Sequence, residues 1–158
     1  MLFRSRFLMK LSVPEILDQV SAAPGKKEKI AILQQYSNPV LQTVLRLNFD
    51  PAVKLDLPEG PAPFKTDRTI ADISLTESNL YNEARRLYIF EPGHPKYNPN
   101  VKKTQKENIW IQILEGCHWT EADLLNIMKD KQLSKHYKGL TEALVREAFP
   151  GLLSQKSA

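Results

Sequence analysis

Cys117, the chain's only thiol, stands directly beside an imidazole in Cys117-His118-Trp119, and a thiol next to a base is one way to make a nucleophile. That chemistry also needs a third group to orient the base and donors for a developing oxyanion, and neither can be named here. Neighbouring residues at a helix end point apart, so Cys117 is expected to be a buried structural thiol. The three histidines, His94, His118 and His136, do not recur at ligand spacing, and with a single cysteine they assemble no zinc set. Glu121 and Asp123 are the nearest approach to a carboxylate pair, but they fall in the first turn of a helix, where the dipole accounts for acidic residues. Pro92-Gly93 and Pro150-Gly151 are stops, not phosphate cradles. The expectation is a protein with no metal, no cofactor and no catalytic residues, which acts by binding.

Two sets of residues could bind. Lys102, Lys103 and Lys106 precede Trp110, while Lys131, Lys135 and Lys138 lie with Lys129 and His136 ahead of the last helix. Gathered on one face they would contact phosphates. Acidic residues interrupt both runs, and a solvated face explains them as well. The other set is carried by proline-rich loops: Leu57, Pro58, Glu59 and Phe64 in one, Tyr97 in the next. A stiff loop offers apolar anchors to a partner at low entropic cost. The alternative is that Leu57, Phe64 and Tyr97 tuck into the protein's own core.

The elements that must position these residues read as helices. Lys106 to Cys117 places Ile109, Trp110, Ile113, Leu114 and Cys117 on one stripe, ending near Gly116. Thr120 reads as the cap of a helix with Leu124, Leu125 and Met128 inward and Lys129 and Lys131 at its polar end. Thr141 caps a third helix, whose face is Leu144, Val145, Ala148 and Phe149. Near the start, Ser12-Val13-Pro14-Glu15 is a capping box ahead of Ile16, Leu17 and Val20. Lys26 to Tyr36 follows with Ile30, Ile32 and Leu33 inward, and Asn38-Pro39 opens a helix carrying Val40, Leu41, Val44 and Leu45. Asp50 is read as the cap of one more turn, and Ser74 to Glu77 as the start of a helix with Leu80, Ala84, Leu87 and Tyr88 inward.

Alternating β-branched runs and hairpin pairs are missing, which predicts an all-α fold: a compact bundle of about six to seven short helices with a long Pro-rich connector in the middle. A chain of 158 residues, 42% hydrophobic and 25% charged, fits one domain over residues 11–153. Its sub-halves would be 11–55 and 74–153, joined by connector 56–73. A net charge of +4 tolerates an anionic partner without requiring one. The uncharged runs near Met1 to Lys10 are too short to span a bilayer. Residues 1–10 are expected to be a disordered extension, with Met9 as the working start, and 154–158 a disordered tail.

Several phrases carry a resemblance. Phe49-Asp50-Pro51 through Leu57-Pro58-Glu59-Gly60-Pro61-Ala62-Pro63-Phe64, then Gln112-Ile113-Leu114-Glu115, Lys129-Asp130-Lys131, Tyr137-Lys138-Gly139-Leu140-Thr141 and Glu147-Ala148-Phe149-Pro150-Gly151-Leu152 resemble a small uncharacterised family of tailed bacteriophages. Contractile-tailed phages of marine and cyanobacterial hosts are its notable carriers. The resemblance covers about Leu11 to Leu153 and implies an accessory or regulatory phage protein in the host bacterial cytoplasm, with no catalytic residue to carry over. The partner it implies is a host or phage protein, with a nucleic-acid-binding factor in phage replication or transcription as the alternative and a structural virion component as a third reading. It leaves the oligomeric state open.

Overall fold

Ser12 opens the first helix as its side chain suggests: the hydroxyl accepts the Glu15 N–H at 3.4 Å while the Glu15 carboxylate accepts the Ser12 N–H at 3.0 Å. The computed structural model describes residues 11–65, 68, 69 and 78–154. In it α1 spans Val13–Ala22, α2 Lys26–Gln35 and α3 Pro39–Phe49. Asn38 caps α3 by accepting the Leu41 N–H at 2.8 Å, and Pro39 occupies the first turn, where an amide has no partner to lose. Lys29, expected outside, reaches back to the end of α1 and donates to the carbonyls of Val20 and Ala23 at 2.9 and 2.7 Å. A cation there suits the orphan carbonyls of a helix end.

Asp50 caps one more turn, as expected: the Val53 N–H donates to the Asp50 carbonyl at 3.1 Å, although the chain does not go on as a helix. The Asp50 carboxylate accepts the Ala52 N–H at 2.9 Å and both the N–H and hydroxyl of Ser154, at 3.2 and 2.9 Å, tying the end of α3 to the chain's last described residue. Burial raises the Asp50 pKa, but these hydrogen bonds outweigh it and the net shift is downward.

After the connector, Asn79 caps α4 (Leu80–Glu83), which tightens into a 3₁₀ stretch over Ala84–Phe90. Three residues per turn align Ala84, Leu87 and Phe90 on one face, and Leu87 and Phe90 are buried. The start expected at Ser74 lies outside the described residues. Then come α5 (Lys103–Gly116), α6 (Trp119–Lys129), α7 (Leu133–His136) and α8 (Glu142–Ala148). Thr120 is not the cap of α6. His118 is: its Nδ1 accepts the Thr120 N–H at 3.2 Å, doing with a ring nitrogen what a hydroxyl was expected to do.

The fold is all-α, with eight α-helices and the 3₁₀ stretch among the described residues, where no strand occurs. The excess over seven is α7, a single turn; α4 and the 3₁₀ stretch occupy the helix expected from Ser74. The hub is α6, which packs against α1, α3, α5 and α7, while α8 packs against α2 and α3. Helices from before and after the connector therefore share one core, which includes Leu17, Leu41, Trp110, Leu125 and Val145. Among the described residues no helix is long and apolar enough to cross a membrane. The extension expected at 1–10 and all but the first residue of the expected tail lie outside the described residues.

Candidate protein-contact surface

Pro58, Pro61 and Pro63 remove three amide donors within six residues, so this segment can enter neither helix nor sheet. The remaining backbone groups still need partners. Side chains from α5 and α6 supply them. Lys129, only 8% exposed, donates from one ammonium to the carbonyls of Pro58 and Gly60 at 2.8 Å each. Asn126 matches Ala62 on both sides: its Oδ1 accepts the Ala62 N–H and its Nδ2 donates to the Ala62 carbonyl, each at 3.1 Å. Glu115 accepts the Lys65 N–H at 2.8 Å, and Asp130 accepts the Gly60 N–H at 3.3 Å. The result is a strap over α5 and α6, fastened at four places.

Asp56 anchors the strap's first end. Its N–H donates to the Phe90 carbonyl at 2.7 Å, and its carboxylate pairs with the ammonium of Lys106 and accepts the Tyr97 hydroxyl at 2.9 Å. Lys106 also donates to the Tyr97 oxygen at 2.7 Å and lies 4.7 Å from that ring's centroid. The hydrogen bonds from Lys106 and Tyr97 hold the Asp56 carboxyl below its ordinary range. At the other end Arg68 makes a two-pronged pair with Asp123, at 2.9 and 3.0 Å, while its guanidinium lies 5.6 Å from the Phe64 ring centroid and 5.4 Å from that of Trp119.

The expected contact residues divide accordingly. Pro58 and Glu59 are exposed, together with Gly60, Pro61 and Pro63. Leu57 and Phe64 are half-buried against the core, and Tyr97 is half-buried with its hydroxyl committed to Asp56. The strap thus turns its prolines out and its large apolar side chains in.

The phosphate-contact set divides as well. Lys106 is 3% exposed and paired with Asp56, so it does not face solvent as expected. Lys131 is half-buried and donates to the Asp50 carbonyl at 2.7 Å. Lys102, Lys103, Lys135 and Lys138 remain exposed. Cys117 is buried, and burial raises its pKa, with the carboxylates of Glu121 and Glu83 adding to the rise. A thiol held protonated in this way is a poor nucleophile. No group of His, Cys, Asp and Glu able to hold a metal occurs among the described residues.

Asn126 and Glu115 were not singled out by the sequence reading, and Lys129 only as part of a basic cluster at a polar helix end. Asn126 and Lys129 lie three apart on α6, and Asp130 follows at i+4, so the three share one ridge of that helix. Lys106 lies four residues before Trp110, on the apolar stripe itself, which is the one signal that would have placed it inside.

Residues 16–135 match the family of unknown function DUF6433. The chain belongs to this family. No curated protein matches it. The span matched to DUF6433 runs from within α1 to within α7 and contains the strap with both helices that fasten it.

Proposed function

We propose that this DUF6433 protein is a non-enzymatic accessory or regulatory protein of a tailed bacteriophage that acts in the infected bacterial cytoplasm by docking a protein partner on the strap. The observation that carries this reading is the fastening of a helix-free, proline-rich segment by buried Asn126 and Lys129, which leaves Pro58, Glu59, Pro61 and Pro63 outward. A loop already held in one shape loses little conformational freedom on binding. The phage setting rests on the resemblance of the strap and the phrases after it to the phage family described above. With Lys106 paired inside the fold and Lys131 half-buried, a nucleic-acid reading rests mainly on the charge of the other four lysines.

The test uses the outward residues, because Leu57 and Phe64 pack against the core. A tagged variant carrying Pro58→Ser, Glu59→Lys, Pro61→Ser and Pro63→Ser is compared with the wild type in pull-downs from nuclease-treated infected-cell lysate. Each exposed proline is expected to cost under about 1 kcal/mol of stability, so the variant should fold. Recovery of specific host or phage proteins should fall at least about tenfold. Equal recovery would remove the strap from the contact. Recovery that disappears with nuclease would transfer the reading to nucleic acid, and co-elution with capsid or tail proteins would make the protein a virion component.

A further inference from the structure

One side of the strap opens into a cleft of about 610 Å³, lined by Val53, Leu55 and Leu57, by the strap's Glu59 and Gly60, and by the end of α6 with Lys131. The end of α6 is a two-bond stop: the Lys131 N–H donates to the Met128 carbonyl at 2.9 Å and the Gln132 N–H to that of Ile127 at 3.0 Å. The residue in the left-handed conformation of such a stop is usually glycine. Here it is Lys131, at φ 59°, the one non-glycine residue with positive φ among the described residues. A lysine tolerates this poorly, and such strain concentrates where a side chain has a task.

Among the described residues Lys131 has no carboxylate within hydrogen-bond reach and makes one hydrogen bond, to the Asp50 carbonyl. Burial lowers its pKa despite the attraction of Asp50 and Glu142, so its charge is incompletely compensated. Lys54, exposed on the same cleft, forms no ion pair among the described residues. Of the other charges lining the cleft, Lys129 and Asp130 neutralise each other at 2.8 Å, which leaves Glu59 against two ammonium groups. The floor is apolar, with Val53 and Leu55 buried.

We infer that this cleft receives an extended segment of the protein partner in which an acidic side chain follows or precedes an apolar one, the carboxylate meeting Lys131 and Lys54 and the apolar group covering Val53, Leu55 and Leu57. The inference rests on the protein-contact reading and names the partner's chemistry. The cleft shares Glu59 and Gly60 with the strap, so one partner segment can span both.

Selection of a random heptapeptide library on the immobilised full-length protein tests it. Lys131→Gly serves as the counter-screen because glycine is at ease at this backbone angle, and its melting temperature should stay close to that of the wild type. Lys54→Gln is a second variant on an exposed side chain. Enriched peptides should place Asp or Glu within two residues of Leu, Ile, Val or Phe, and their affinity should weaken with salt and fall at least about tenfold in either variant. Failure to enrich any peptide, enrichment without acidic residues, or equal binding to wild type and both variants would overturn the inference. The strap reading would survive these results, since it is judged by the strap variant in lysate.

Discussion

Glu121→Gln should make the protein more stable at pH 8 by about 2 kcal/mol and slightly less stable at pH 5. Glu121 is 0% exposed; its Oε1 accepts the Leu80 N–H at 3.2 Å, and its Oε2 is buried with no partner among the described residues. Burial is the main reason its pKa rises from 4.5 to about 7, and Glu15 adds to the rise. A carboxyl whose folded pKa is raised contributes stability below its unfolded pKa and loses that contribution as pH climbs to the folded value. The window is therefore pH 4.5 to about 7, and the total loss is about 3 kcal/mol from 1.36 kcal/mol per pKa unit. Glutamine cannot ionise, but its amide nitrogen lacks a partner where Oε2 lies, which subtracts about 1 kcal/mol at every pH. Asp50, Asp56 and Glu91 act oppositely, since their folded pKa values are lowered and their contribution is lost on acidification. Stability should peak near pH 5 in the wild type, from these opposing slopes. Denaturant melts from pH 4 to 9 check this, and a variant with the same pH slope as the wild type would show that Glu121 does not titrate in this range.

Asp56→Ala should cost about 3 kcal/mol. Lys106 would keep its Tyr97 hydrogen bond but lose the one carboxylate it pairs with among the described residues, and a buried ammonium without a counter-charge is the expensive half of a broken pair. The figure sits at the low end for buried pairs because the Asp56 side chain is 43% exposed and water can enter where it stood. The double variant Asp56→Ala with Lys106→Met should recover much of the loss, because the orphaned charge is gone. Urea melts at pH 7 measure both, and a double variant no better than the single one would mean that the pair itself, not the stranded ammonium, supplies the stability.

The helices were legible because their signals are local. Ser12 with Glu15, Asn38 with Pro39 and Thr141 cap where their side chains predicted, and the stripe Trp110, Ile113, Leu114 and Cys117 is buried as its spacing required. What could not be read depends on partners distant in sequence. Glu121 looked like a dipole residue and Lys129 like a solvated helix end. Both are buried because α6 is the hub: its first turn lies under Leu80 and its polar ridge under the strap, 41 and 69–71 residues away in sequence. The strap was recognised as a proline-rich connector bearing Leu57 and Phe64, but which residues face out is decided by Asn126 and Lys129, and no periodicity within the connector records that.

Amide hydrogen exchange across residues 54–65 of the free protein tests the central claim, that the strap is already fastened before a partner arrives. The Asp56, Ala62 and Lys65 amides donate to Phe90, Asn126 and Glu115, and they should exchange at least about tenfold more slowly than the Glu59 amide, which has no acceptor among the described residues, since each must open its hydrogen bond first. Exchange at the unprotected rate throughout this stretch, with α5 and α6 still protected, would show a loose strap and contradict the account.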